Sequence, residues 1–175
     1  GEKELITLLS ILKERKIKYF VLGNGSNVLF SDNIYDGIII KLDNFNKINI
    51  QNNIIEVGAG YPLIRLSRDA MRNSLCGLEF ASGIPGTVGG AVFMNAGAYG
   101  EDMSKIVESV RIINDDLEII TLTNEEMKYS YRTSILQEHL NYVCISCVLR
   151  LEKGNRDEIE KIMNDRHITR RETQP

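Results

Sequence analysis

The 175-residue chain has no tryptophan, three prolines, three cysteines and two histidines. Three cysteines cannot build the paired framework of a disulfide-stapled fold, and His139 and His167 alone cannot supply a histidine-rich metal centre. We therefore expect no metal. The formal net charge is −3, so no basic field points to nucleic acid. No apolar run approaches the roughly 20 residues of a bilayer span, and no stretch resembles a signal peptide. A cytoplasmic protein without a membrane span is the expectation. What is present is ordinary for a globular chain: 43% hydrophobic and 26% charged residues, enough for one or two compact domains. The sequence begins at Gly1 rather than Met and enters a helical pattern at once, from which we expect a trimmed piece of a longer protein.

Cys144 and Cys147 have the spacing of a metal or redox pair. Their context argues otherwise. Tyr142 to Leu151 alternates as a strand, with Val143, Ile145, Cys147, Leu149 and Leu151 on one face. An odd separation then turns Cys144 to the opposite face, away from Cys147. Both read as buried thiols acting as small apolar groups.

Glycine is concentrated. Gly77 to Gly100 holds seven of the fourteen glycines, and no charged side chain stands between Phe80 and Gly100. Such density costs backbone entropy and needs a reason. A stretch of N–H groups without bulk or carboxylates suits a phosphate, at roughly 1.5–3 kcal/mol per charge-assisted hydrogen bond. A tightly packed glycine turn with no ligand fits as well. A second segment, Gly23-Asn24-Gly25-Ser26-Asn27, follows the apolar strand pattern Ile17 to Leu22. It can form a nest of amides or a plain loop. Val28 stands where a Rossmann fingerprint needs its third glycine, and no Gly-Lys-Ser/Thr makes it a Walker loop.

The remaining pattern is of strands in hairpins interrupted by helices, which argues an α+β class. Glu2 to Lys16 is helical, with Leu5, Leu8, Leu9 and Leu12 on one face. Val28 to Phe30 and Gly37 to Leu42 read as strands, and Lys47 to Ile50 with Asn53 to Val57 as a hairpin. Pro62 suits the first turn of a helix to about Asn73, with Leu63, Leu66, Ala70 and Met71 inward. Ile106 to Ile113 and Leu117 to Leu122 are paired strands. Thr123 and Glu126 form a capping box that predicts a short helix leading into Tyr129-Ser130-Tyr131-Arg132-Thr133-Ser134. An arginine between tyrosines is ordinarily a surface residue stacked on a ring. A last helix, Asp157 to about Arg170, points Ile159, Ile162 and Met163 inward, and its polar face carries no chemistry in this reading.

Three segments at this order and spacing carry a resemblance. Gly23 to Asn27, Ser82-Gly83-Ile84-Pro85-Gly86-Thr87-Val88-Gly89-Gly90, and Asn95-Ala96-Gly97-Ala98-Tyr99-Gly100 together resemble the flavin domain of the UDP-N-acetylenolpyruvoylglucosamine reductase family. Tyr131-Arg132-Thr133-Ser134 is similar to that family's Tyr-Arg-x-Ser active-site motif. Arg170-Arg171-Glu172-Thr173-Gln174-Pro175 resembles the end of its flavin domain.

The resemblance implies a vanillyl-alcohol-oxidase type of fold, with FAD held between a smaller subdomain (1–42) and a larger one (43–175). Gly23, Asn24, Gly25, Ser26 and Asn27 would bind the diphosphate. Ser82, Gly83, Ile84, Pro85, Gly86, Thr87, Gly89 and Gly90, with Asn95, Ala96, Gly97 and Ala98, would line the FAD. No histidine stands in the Gly23 to Asn27 loop, so non-covalent FAD is implied. The family's hydride donor is NADPH and its substrate UDP-N-acetylglucosamine enolpyruvate, reduced to UDP-N-acetylmuramate for peptidoglycan. Arg132, beside Tyr131, would be the catalytic cation. The first strand, the substrate-binding domain, the proton-donating serine and its supporting glutamate would lie outside this chain, which alone would not turn over. Two other readings are a different FAD-linked oxidase of this fold and a flavin-binding fragment without turnover.

Overall fold

Val107–Ile113 and Val143–Arg150 are rich in Val and Ile and become the inner strands of the largest sheet. The computed structural model describes residues 1–173. In chain order it runs α1 (Glu2–Glu14), β1 (Tyr19–Leu22), β2 (Ile38–Lys41), β3 (Ile48–Gln51), β4 (Ile54–Gly58), α2 (Leu63–Arg72) and β5 (Leu75–Cys76). Then come α3 (Val88–Phe93), β6 (Gly97–Ala98), β7 (Glu101–Asp102), β8 (Val107–Ile113), β9 (Ile119–Thr123), β10 (Val143–Arg150), β11 (Glu152–Lys153) and α4 (Arg156–Thr173). Helices and largely antiparallel strands make this the α+β fold that the sequence pattern implies.

The main sheet has five strands in the order β3-β4-β10-β8-β9, every neighbour antiparallel. The β1–β2 pair is parallel, so the chain between them, which carries Gly23 to Asn27, crosses from the end of one strand to the start of the other. Leu5, Leu9 and Leu12 of α1, with Ile40 and Leu42, share one continuous core with the main sheet. In α2, Leu63, Leu66, Ala70 and Met71 are all buried, as their spacing requires. Among the described residues no helix is long and apolar enough to cross a membrane.

Five local expectations change. Val28 to Phe30 forms no strand. Pro62 is the residue before α2, at φ −65° and ψ 126°, rather than in its first turn. The Thr123–Glu126 capping box does form, with Thr123 N–H donating to Glu126 Oε2 at 2.8 Å, yet it closes a run of turns instead of a helix. Lys128 follows at φ +46°, a left-handed value that a continuing helix cannot accept. In α4, Ile159 and Met163 are buried beside Met71, whereas Ile162 is 41% exposed. The glycine-rich stretch itself contains a helix, α3.

The cysteine geometry is also corrected. Cys144 pairs with Ile112 and Cys147 with Val110, because the register shifts between Cys144 and Ser146. That bulge adds one residue to β10 and cancels the odd separation, so both thiols stand on the same face of the sheet. They are buried and unpaired in a disulfide. Burial pushes the Cys144 thiol up to about 12, and burial with help from neighbouring Cys144 holds Cys147 well above the usual thiol range. Tyr61 is pushed up to about 12 by burial and by its hydrogen bond to Asp69. These groups stay protonated when folded but ionise near their usual values, about 8.5 for Cys and 10 for Tyr, when unfolded. The unfolded state therefore holds fewer protons above about pH 9, and stability falls as pH rises from there toward 12. Urea unfolding at pH 8 and pH 10 should show a lower midpoint at pH 10 with an unchanged m-value. Equal midpoints would contradict the assignment.

Candidate functional site

The strand β1 ends at Leu22, and the chain turns directly into Gly23 against Thr87. A Cβ on Gly23 would lie 2.6 Å from Thr87 Oγ1, so only glycine lets the two loops close on each other. Thr87 caps α3 by accepting from the Gly90 amide at 3.3 Å. Asn24 Nδ2 donates to the Pro85 carbonyl at 3.2 Å. Gly25 has φ +73° and open space around it, so its requirement is conformational rather than steric. The two loops enclose a cleft of about 360 Å³, within the range of small-molecule sites. Gly23, Asn24, Gly25, Ser26 and Asn27 line it on one side. Ile84, Pro85, Gly86, Thr87, Gly90, Ala96 and Gly97 line the other, and Arg132 and Arg170 complete it.

The loops divide the work unequally. In the larger one four amides are already spent: Ile84 donates to Ala81 O, Gly86 to Ile84 O, Val88 to Tyr61 O and Gly89 to Ala59 O. The glycine-rich stretch therefore does not offer the row of free N–H groups expected of it. Its glycines allow close backbone packing instead; a Cβ on Gly89 would sit 2.9 Å from Ala59 Cβ. Among the described residues, no backbone hydrogen bond is donated by the amides of Asn24 to Asn27. The smaller loop holds the donors available to an anion.

Ser82, Gly83, Gly89, Asn95 and Ala98 do not line the cleft. Ser82 is buried and donates its hydroxyl to Glu79 O at 2.9 Å. Asn95 is a buried fastener at φ +42°: its Nδ2 donates to Ser130 O at 2.9 Å, and its Oδ1 accepts from the Ser104 amide at 2.9 Å. It ties the cleft wall to the loop that carries Arg132. Asn95→Ala should cost about 2–3 kcal/mol, combining a stranded carbonyl with a left-handed residue that lacks asparagine's local support. Asn95→Gly should recover part of that loss. A urea midpoint unchanged in both variants would refute the fastening role.

Arg132 sits at φ +57° in a tight turn closed by reciprocal Ser130–Thr133 backbone hydrogen bonds of 3.1 Å. The turn is strapped down on both sides. Ser134 Oγ donates to Phe93 O at 2.7 Å, and Gln137 Nε2 donates to Arg132 O at 2.9 Å. The guanidinium reaches the cleft and gives one donor to Gly97 O at 2.8 Å. Tyr131 is 89% exposed and lies outside the cleft, its ring centroid 5.7 Å from Arg132 Cζ.

Arg170 is the lining residue that reading the sequence placed on a chemistry-free polar face. Its Nη1 is buried without a hydrogen-bond partner among the described residues. The available signal was the spacing: Ile159, Met163, Arg166 and Arg170 continue one helical stripe. Gln174 and Pro175, the end of the quoted terminal motif, lie outside the described residues. Phe20, Leu22, Leu63, Ile84, Phe93 and Met94 add apolar walls. Free amides, two guanidinium groups and flat apolar walls suit a ligand with an anionic middle and a planar ring, and a flavin dinucleotide fits that description.

The comparisons agree with the geometry. UDP-N-acetylenolpyruvoylglucosamine reductase of Anoxybacillus flavithermus is 46% identical over 168 residues, covering 95% of this chain and 56% of that protein. The enzyme of the same name from Clostridioides difficile is 43% identical over 99% of this chain and 57% of its own length. The chain thus spans about half the length of the curated relatives it matches. The solved UDP-N-acetylenolpyruvylglucosamine reductase of Thermus caldophilus superimposes with a TM-score of 0.83 at 31% identity, covering 100% of this chain and 61% of that one. The FAD binding domain family matches residues 1–123. On the cleft and on these matches together, the chain belongs to the FAD-binding domain family.

Proposed function

We propose that this chain is the flavin-holding part of a reductase that uses NADPH to convert UDP-N-acetylglucosamine enolpyruvate to UDP-N-acetylmuramate, a step of peptidoglycan synthesis. The observation that carries the reading is the convergence of both glycine loops and Arg132 on one cleft. Relatives bearing that enzyme's name over nearly the whole chain support it. In this reading residues 1–42 and 43–175 act as the two subdomains about the cofactor. A cytoplasmic setting is supported by three thiols left free, as a reducing compartment leaves them.

Gly23 to Asn27 would hold the FAD diphosphate with its unspent amides, and Ile84 to Thr87 would face it across the cleft. When bound, FAD supplies a two-electron carrier between NADPH and the enolpyruvyl double bond. Reduction of that bond builds negative charge on the adjoining carboxylate. Arg132 would stabilise this charge: Gly97 O occupies one of its five donors, and the planar fork leaves others for two carboxylate oxygens. Its strained, strapped backbone holds the cation in place before charge develops, which is the condition for electrostatic catalysis. We assign the proton donor and the sugar-nucleotide contacts to the half of the relatives' length that this chain does not span.

The test is a flavin titration followed by NADPH oxidation in the complete protein. Stoichiometric non-covalent FAD, with oxidation that depends on the enolpyruvyl sugar nucleotide, is the expected result. Absence of flavin binding would remove the reading. Flavin binding with turnover of a hydroxy acid instead would assign the chain to a different oxidase of this fold.

A further inference from the structure

The guanidinium of Arg132 is anchored at its tip, where Nη2 donates to Gly97 O at 2.8 Å. Its backbone needs a second anchor, because φ +57° is a conformation that a residue with a Cβ leaves readily. The hydrogen bonds between Ser130 and Thr133 close the turn without touching the Arg132 carbonyl. Gln137 meets that oxygen. Its Nε2 donates to Arg132 O at 2.9 Å and to Phe93 O at 3.1 Å, with Met94 Sδ 3.7 Å away. Three acceptors around one nitrogen leave the amide a single orientation, with both of its hydrogens committed. Phe93 and Met94 stand at the end of α3 and line the cleft. One side chain thus joins the cleft wall to the main chain of the arginine. Ser134 differs, since its hydroxyl reaches Phe93 O and fastens the loop as a whole. Without Gln137 the peptide after Arg132 is free to turn over. A residue released from the left-handed region swings its Cβ, and the guanidinium with it, off Gly97 O.

We propose that Gln137 is a positioning residue for Arg132, fixing through the Arg132 carbonyl where the cation stands as the substrate carboxylate gains charge. This rests on the reading of Arg132 given under the proposed function. The preorganisation such a cation needs is then supplied by an amide outside the cleft lining.

The complete protein is followed by stopped flow in its two halves, flavin reduction by NADPH and flavin reoxidation by the enolpyruvyl sugar nucleotide. Gln137→Met, close in size but without donors, should slow reoxidation about 5- to 20-fold, the range of one lost hydrogen bond with its acceptor stranded. Reduction and flavin content should stay within about twofold, because no carboxylate gains charge in that half. Gln137→Lys, which restores a donor, should recover most of the loss. In an Arg132→Ala background, Gln137→Met should add less than about twofold, since nothing is left to position. The apoprotein supplies a readout without flavin. An arginine-specific protease should cut after Arg132 about 5- to 20-fold faster in Gln137→Met than in wild type, with cutting after exposed Arg15 unchanged. The exposed neighbour is the control: Glu138→Gln should stay within about twofold in every measurement. Equal slowing of both halves, an additive loss in the double variant, or unchanged rates in Gln137→Met would overturn the inference and leave the Arg132 reading intact. Failure of Gln137→Met to fold would make the side chain structural and overturn it as well. Wild-type turnover in Arg132→Ala would remove the Arg132 reading itself, and this inference with it.

Discussion

Arg132→Lys is expected, on the reductase reading proposed above, to lower kcat about 100- to 1000-fold while flavin content stays at the wild-type level. The magnitude is that of removing one preorganised stabiliser of developing charge. Lysine keeps the charge but loses the planar fork that meets two carboxylate oxygens at once. Flavin content should hold because the loop is fastened independently of the side chain. Its turn is closed by Ser130 and Thr133, and it is strapped to the end of α3 through Ser134 and Gln137. Steady-state kinetics with both substrates, beside the flavin absorbance of the purified variant, make the measurement. Wild-type turnover would remove Arg132 from the mechanism. Loss of flavin would show that it holds the cofactor instead.

The second large effect concerns the smaller loop. Gly25→Val should reduce FAD affinity by at least about 100-fold, the equivalent of losing two charge-assisted hydrogen bonds. The structure separates this from a general folding defect. A Cβ at Gly25 meets nothing within 4 Å, so the cost to the apoprotein is that of holding a β-branched residue at φ +73°, about 1–2 kcal/mol. Gly23→Val would instead drive a branch into Thr87 and disturb the junction of the loops. Titration with FAD, together with urea unfolding of the apoprotein, distinguishes the outcomes. A Gly25→Val protein with full FAD occupancy would place the anion site elsewhere.

Much of the secondary structure was legible because it rests on local periodicity. The buried stripe Leu63, Leu66, Ala70 and Met71 and the β3–β4 hairpin obey patterns that nearby residues impose on one another. Where local rules failed, a distant partner had taken over. The Thr123–Glu126 pair made its capping hydrogen bonds, but Asn124 Nδ2 reaches back to Ser104 O and Val107 O at 2.7 Å, and the chain goes on as a turn. The bulge in β10 could not be read from Tyr142 to Leu151 alone, since it exists only relative to β8. It placed both thiols on one face against the alternation.

The candidate site divides along the same line. The sequence by itself determined that two glycine segments and an arginine motif exist, that Gly23 to Asn27 is neither a Rossmann nor a Walker loop, and which family the set resembles. Those properties reside in residue type and spacing. Only the tertiary structure decided which loop keeps its amides free, because two of the acceptors that consume the others, Ala59 O and Tyr61 O, come from a different part of the chain. It also turned Asn95 into a fastener and brought Arg170 past Gly83 into the cleft. Hydrogen-bond satisfaction and burial are properties of positions in space, and the contact between residues 83 and 170 spans half the chain.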